Sequence, residues 1–295
     1  MKSGKKLEKK SKKTLKKKKL SSNITTIILI LIFLVGLSVM LYPTVSNYVN
    51  QRHQSKAIAA YDEKVSEMKP EDYTKYFEAA EKYNKKLAKN PSAFYNPDEI
   101  KGYEKILDIS GTGIMGYITI KKLGVELPIY HGTSAEVLER GIGHLAASSF
   151  PIGGESTHAV LTGHTGLSSA KLFTDLTEMK KGDLFFIHVL DKKLAYRVDR
   201  ITVVKPDDTR NLQIIDGEDH VTLLTCTPYG VNDHRLLVRG KRTRYHEKEE
   251  QTKERPHHSQ WMEVYKQAIL IGLLIVFSLV GSRKMYGRIK GRKKK

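Results

Sequence analysis

The sequence predicts a mainly β domain of about 130 residues, folded as an antiparallel barrel or sandwich, between an N-terminal helical region and a C-terminal stalk. Three observations predict this class. Short β-rich runs separated by Gly, Pro and Asp follow one another from Gly111 onward. Apolar residues recur at helical spacing in residues 51–89. Two long apolar runs stand beside strongly basic ends and predict two flanking membrane helices.

The charge of the chain lies in two tails. Residues 1–19 carry 11 Lys and one Glu, and residues 282–295 carry eight Lys or Arg and no acid. These tails account for +10 and +8 of the net +19, which leaves +1 for everything between them. A nucleic-acid-binding groove needs basic residues clustered on the folded part of the chain. We therefore expect no nucleic-acid partner.

An uncharged run at residues 24–42 predicts the first membrane helix. Its 19 residues span about 29 Å as a helix, close to the thickness of a bilayer's hydrocarbon core. A cleaved signal peptide is the alternative, but no convincing small-residue cleavage site follows the run, which favours an uncleaved anchor.

A second apolar run, residues 261–281, predicts another membrane helix. Its uncharged part has only 15 residues, 267–281, although Trp261 and Tyr265 are suited to the membrane interface. The alternative is a buried core helix. Because Lys and Arg concentrate on the cytoplasmic side, we expect the basic tails 1–23 and 282–295 in the cytoplasm. Residues 43–260 then lie outside the cell, and the lipid bilayer is a partner.

The part outside the membrane divides into three regions. Residues 43–110 predict two helices separated at Pro70 and then a long loop with a short helical turn. Residues 111–243 predict the β domain, interrupted by helical pieces at 134–140 and 170–179, and residues 244–260 predict a charged stalk. Strands are expected at MGYITI, LPIY, HAVLTG, DLFFIHVL, LAYRVDRITVV, HVTLLTC and RLLVRG.

Cys226 is the single cysteine of the chain, so an internal disulfide is excluded. It ends an apolar run in TLLTCTPYGVNDHRLLVRG. If the runs 222–226 and 235–239 form a hairpin, paired positions sum to 461 and Cys226 lies opposite Arg235, with the Cβ atoms about 5 Å apart. A cation there favours the thiolate and can hold an oxyanion. The alternatives are an inert buried cysteine, or Arg239 or Arg242 as the functional cation.

His164 is the candidate base, because HAVLTGHTG places it just past an apolar strand, between Gly163 and Gly166. Reactive side chains commonly lie on loops at strand exits. From spacing alone, His131 and His234 remain rival bases. The sequence contains no cluster with metal-ligand spacing, so no metal is expected.

Three segments together resemble the class C, pilus-assembly sortases of Gram-positive bacteria: MGYITIKKLGVELPIYHGTS, HAVLTGHTGLSSAKLFTDL and TLLTCTPYGVNDHRLLVRG. The resemblance covers roughly residues 51–242, with the motifs in the expected order. It implies the eight-stranded sortase barrel, a triad of Cys226, His164 and Arg235, and no cofactor. It also implies a substrate contact at Thr225, which helps to shape the oxyanion site.

By this resemblance the Cys226 thiolate cleaves a Leu-Pro-x-Thr-Gly-like sorting signal between Thr and Gly through a thioester. The pilin is then transferred to a lysine amine of another pilin. Three alternatives stay open: a housekeeping sortase that anchors proteins to cell-wall peptide, a secreted cysteine protease that only hydrolyses, and a non-enzymatic membrane scaffold.

The family resemblance also implies a lid before the barrel, formed by an Asp-Pro-aromatic motif that this chain lacks. Near the expected position stand Asn90 and Pro91. Phe94 or Tyr95 can replace the aromatic cover, and Asp98 can replace the anion. The alternative is that residues 90–98 only connect the helices to the barrel.

Overall fold

The computed structural model describes residues 2–95 and 102–251, together with positions 267, 269–274, 278 and 281. The chain forms two compact units: Thr44–His257, and Met1–Pro43 with His258–Lys295. The lid residue Asp98 and residues 252–260 of the expected stalk lie outside the described residues.

Two helices precede the barrel, α1 at Lys2–Glu67 and α2 at Pro70–Lys89. The predicted break at Pro70 is confirmed, since Pro70 opens α2 where its missing N–H is not needed. Within α1, the apolar stretch lies in Ile30–Glu67, the one helix among the described residues that is long and apolar enough to cross a membrane. This helix supports membrane anchoring.

The second apolar run is only partly described. The described positions 267, 269–274, 278 and 281 are helical, and the rest of residues 261–281 and the tail 282–295 lie outside the described residues. A second membrane span and the cytoplasmic placement of both tails therefore stay predictions.

Eight strands form a closed barrel in the order β1-β2-β3-β4-β7-β8-β6-β5, which confirms the mainly β fold. The strands are β1 Ile114–Ile120, β2 Val125–His131, β3 Ile142–His144, β4 Thr157–Thr162, β5 Leu184–Val189, β6 Lys192–Val204, β7 Asp219–Thr227 and β8 His234–Thr243. A helix α3, Ala135–Arg140, links β2 to β3, and α4, Glu247–Gln251, follows β8. The predicted helix at 134–140 is confirmed, with Ser134 as its N-cap.

The barrel departs from the sequence prediction in three ways. It is not wholly antiparallel, because β2–β3 and β4–β7 are parallel pairs. The three-residue strand β3 was not predicted. The helix expected at 170–179 is wrong: only a 3₁₀ turn at Thr174–Glu178 forms. Leu172 has φ +39°, which an α-helix cannot accommodate.

Both N-terminal helices pack on the barrel. The Tyr61 hydroxyl of α1 donates to the Met115 carbonyl (3.2 Å) and accepts from the Leu190 N–H (2.8 Å), and burial raises the pKa of Tyr61. In α2, Asn84 bonds both backbone groups of Phe150. Its neighbours along the buried stripe are Phe77, Ala80, Tyr83 and Leu87. The helical region and the barrel therefore share one core.

Candidate active site

The β7–β8 hairpin sets Cys226 directly opposite Arg235, as the sequence register predicted. Cys226 is half-buried, which argues against the alternative of an inert, fully buried cysteine. The Arg235 guanidinium donates to the carbonyls of Asn232 (3.1 Å) and His234 (3.0 Å). These bonds hold the cation at the same end of the hairpin as the thiol.

His164 follows β4, the strand that lies beside β7 on the side away from β8. The parallel pairing of β4 with β7 sets Thr162 beside Leu224, and the Gly163 N–H continues the ladder to the Leu224 carbonyl at 3.1 Å. His164 and Cys226 each follow this pair by two residues along their parallel chains, so we expect the histidine on the β4 side of Cys226. Arg235 therefore lies opposite Cys226 on β8, and His164 is the candidate base on the loop that follows β4.

The two glycines that flank His164 are required by their surroundings. A Cβ atom on Gly163 would lie 2.7 Å from the Ile142 side chain and 2.8 Å from the Phe173 ring. Gly166 has φ +72°, and a Cβ there would lie 3.1 Å from the Tyr229 ring. The Phe173 N–H also donates to the His164 carbonyl at 3.1 Å. The histidine loop is therefore held between the core and the β7–β8 loop.

The rival histidines and arginines are placed elsewhere. His131 is buried, with its ring nitrogens at the carbonyls of Gly113 and Ile106. His234 pairs with Thr227, one residue past Cys226 and hence on the other face of the hairpin. Arg239 forms an ion pair with Asp199, and Arg242 lies over the Tyr196 ring.

Thr225 lies on the core side of β7. Its side chain is 1% exposed, and its hydroxyl donates to the Gly163 carbonyl at 2.7 Å. The expected substrate contact therefore does not come from this side chain. Instead, the hydroxyl ties the strand that carries Cys226 to the loop that carries His164.

An apolar cluster continues the outer face beside Cys226 and Arg235. The next pair along the same face of the hairpin is Leu224 and Leu237. The cluster comprises Val160, Val204, Leu212 and Leu237, with Phe94, Leu145 and Leu224 packed against it. Sequence reasoning missed this apolar cluster. The register sum of 461 that pairs Cys226 with Arg235 also pairs Leu224 with Leu237, and this could have revealed it.

The segment 91–95, here called the covering segment, packs on this apolar cluster. Pro91–Phe94 forms a 3₁₀ turn that sets the Phe94 ring in the apolar cluster. Tyr95 is 64% exposed, and its hydroxyl makes only long contacts, to Thr209 (3.3 Å) and Gln213 (3.4 Å). The Asn90 side chain accepts a bond from Ser92. Among the described residues no carboxylate lies within 4 Å of the Arg235 guanidinium.

Beyond the apolar cluster, the outer face of β4 and β7 becomes polar. The Thr222 hydroxyl contacts Nε2 of His158 at 2.7 Å, and Nδ1 of His158 donates to the Gln213 carbonyl at 2.9 Å. Burial lowers the pKa of His158 to about 4, so the ring is neutral near pH 7. His158 thereby fastens the β6–β7 connection, which contains Gln213, onto the barrel.

A half-buried thiol between an imidazole and a guanidinium can carry out acyl transfer: the thiolate attacks, the imidazole moves a proton, and the guanidinium stabilises an oxyanion. No group of three or more His, Cys, Asp or Glu suited to a metal ion occurs in the described part of the chain.

The chain is similar to known proteins over its barrel domain. A family model described as the sortase domain matches residues 118–243. The chain is similar to the crystal structure of sortase C1 from Streptococcus agalactiae, with 47% identity, a TM-score of 0.60, and coverage of 65% of this chain and 100% of that one.

Two further relatives extend the comparison. The X-ray structure of Clostridium perfringens sortase C with the C-terminal cell wall sorting motif is 43% identical, with a TM-score of 0.57, and is matched over 65% of this chain and 100% of that one. Sortase D of Bacillus subtilis is 32% identical over 130 residues, which are 43% of this chain and 63% of that protein.

Proposed function

We propose that this chain, which belongs to the sortase family of cysteine transpeptidases, assembles pili. It would do so by joining pilin subunits through their sorting signals. The observation that carries the proposal is the pairing of Cys226 with Arg235 on one outer face of the barrel, next to β4, whose end leads into His164. The enzyme acts on an extended Leu-Pro-x-Thr-Gly-like signal and takes a lysine amine of a second pilin as acceptor.

The reaction has two halves. The Cys226 thiolate attacks the Thr carbonyl carbon, Arg235 stabilises the oxyanion, and His164 gives a proton to the departing Gly amine, so that the C–N bond breaks and a thioester forms. The acceptor amine then attacks the thioester, and His164 takes the proton of that amine. The C–S bond breaks, the thiolate returns, and an isopeptide bond joins the two pilins.

Two observations support the pilin-polymerising class over a housekeeping sortase. The structures of 43–47% identity are sortases C, and one of them is described with a cell wall sorting motif. In addition, α1 and α2 pack on the barrel as part of its core, as the class C resemblance implies. The expected C-terminal span would add a third distinction.

We further propose that the covering segment is the lid of this enzyme. Its support is the Phe94 ring in the apolar cluster beside the Cys226–Arg235 pair. The Leu and Pro of a sorting signal require an apolar surface of this kind, so the signal displaces Phe94 when it binds. The segment lacks the charged anchor of the family's lid motif at Asn90 and so opens easily.

The experiment is product analysis with the full chain in detergent and a fluorescent Leu-Pro-Glu-Thr-Gly peptide, with and without Nα-acetyl-lysine amide. The expected product with the amine is a peptide joined to the lysine ε-amine. A glycine-terminated amine of cell-wall type serves as the competing acceptor. Formation of free acid alone, whatever amine is present, would identify a hydrolase, and preference for the glycine amine would identify a housekeeping enzyme.

A further inference from the structure

We propose that a cavity between α2 and two barrel loops binds the polypeptide that precedes the sorting motif, so that the enzyme recognises a longer segment than the motif itself. The inference rests on the proposed function, since it extends the path of the same substrate. Its ligand is an extended polar peptide of about four residues.

The cavity has a volume of about 780 Å³, within the range of small-molecule and peptide sites. One wall is the C-terminal half of α2, which contributes Lys85, Ala88 and Lys89. The opposite wall consists of the β3–β4 and β6–β7 connections, which contribute Glu155 and Asp216. Glu81 of α2 also lines the cavity. Charges of both signs therefore surround it, and this suits a polar chain better than an apolar ligand or a lone anion.

Phe94 joins this cavity to the active site. Its ring packs in the apolar cluster with Leu224 and Leu237, next to the Cys226–Arg235 pair, and the same residue lines the cavity. His158 also lines the cavity and bonds Thr222 on the outer face of β7. The cavity therefore continues the face that begins at Cys226.

The chemistry of the motif fixes the direction of the peptide. The scissile Thr carbonyl must lie at Cys226, and the Pro and Leu that precede Thr suit the apolar cluster. From Cys226 to Thr222 is four residues of strand, about 13 Å, and an extended peptide covers this distance in about four residues. The residues before Leu thus arrive at Phe94 and His158, where the cavity opens.

The test compares two peptides on the full chain in detergent: acetyl-Leu-Pro-Glu-Thr-Gly, and the same motif preceded by Ser-Ala-Ser-Ala. We expect the extension to lower KM about tenfold with kcat unchanged. Contacts that are equally strong in the ground state and the transition state change KM alone. Ala88→Trp fills the cavity from α2 and should raise KM for the long peptide to that of the short one. Ala79→Trp, on an exposed position of α2, is the matched control and should leave KM unchanged for both peptides.

A benzophenone amino acid three residues before Leu provides an independent readout. We expect it to label residues 81–89 or 153–156, and labelling of the β7–β8 loop 227–234 would overturn the proposed direction. Equal KM for both peptides, or an Ala88→Trp effect that is the same for both, would overturn the cavity site while leaving the proposed function intact. Failure of the wild-type chain to form an acyl-enzyme with either peptide would overturn the proposed function and the inference with it.

Discussion

Thr225 acts on the active site from the core side of its strand. Its hydroxyl bonds the Gly163 carbonyl, one residue before His164, while Cys226 is the next residue along β7. This hydrogen bond therefore adds to the β4–β7 ladder in joining the strand of the proposed nucleophile to the loop of the proposed base. This makes Thr225 a positioning residue and explains how a side chain that does not face the substrate still matters.

Thr225→Val keeps the shape of the side chain and leaves the Gly163 carbonyl without this donor. We expect the free energy of unfolding to fall by about 1–3 kcal/mol. We expect kcat/KM for a sorting peptide to fall about tenfold, with a changed pH profile because His164 is no longer held beside Cys226. Thr225→Ser restores the donor and should restore most of the activity and the profile. Wild-type kinetics in the valine variant would show that this bond does not position the base.

At the scale of elements, apolar packing of Phe94 holds the covering segment on the barrel. Phe94 packs in the cluster, whereas Tyr95 is mostly exposed. We expect Phe94→Ala to speed alkylation of Cys226 by a small reagent only a few-fold, because the segment already opens readily. Tyr95→Ala is the control and should leave the rate unchanged. A hundredfold rise in the Phe94 variant would reveal a tightly closed lid whose anchors lie elsewhere.

The histidine loop is also held from α1. Asn47 accepts a bond from the Lys171 N–H (2.8 Å), and Asn50 donates to the Ser169 carbonyl (2.7 Å). The bonded loop residues stand close to Phe173, whose N–H holds the His164 carbonyl. The part of α1 that contains Asn47 and Asn50 thus stabilises the loop that carries the proposed base.

Replacing both asparagines by alanine in the full chain should speed hydrogen exchange at the Lys171 amide and lower kcat several-fold. Lys56→Ala, on an exposed position of the same helix, is the matched control. Unchanged exchange at Lys171 in the double variant would mean that α1 does not hold this loop.

For the whole molecule, buried neutral histidines make stability depend on pH. Burial lowers the pKa of His144 to about 3, and the pKa values of His158 and His188 to about 4. The unfolded chain binds protons at these positions below about pH 6.5 and the folded chain does not. Stability is therefore fully present above pH 6.5 and is lost as the pH falls toward 4.

A pH series of thermal unfolding measures this loss, which we expect to reach at most about 3 kcal/mol for His158. His158→Gln removes the titrating ring but keeps a polar side chain. The variant should lose less stability than wild type between pH 6.5 and 4.5. Equal losses in the two proteins would show that His158 does not contribute to the acid sensitivity.

Local patterns predicted much of this molecule. Pro70 marked the break between α1 and α2, and pairing within one hairpin placed Arg235 opposite Cys226. The sequence could not reveal the parallel β4–β7 pairing, because strands 62 residues apart carry no local sign of their contact. It also missed β3, which has only three residues, and the position of Phe94, which depends on a cluster assembled from four strands and two connections.

Mapping the acyl-enzyme on Cys226 tests the central claim most directly. The full chain is incubated with a Leu-Pro-Glu-Thr-Gly peptide, quenched in acid, digested and analysed by mass spectrometry. The account predicts the mass of the peptide up to Thr on the fragment that contains Cys226, released by hydroxylamine and absent in Cys226→Ala. Substrate attached to any other residue, or turnover retained in Cys226→Ala, would contradict it.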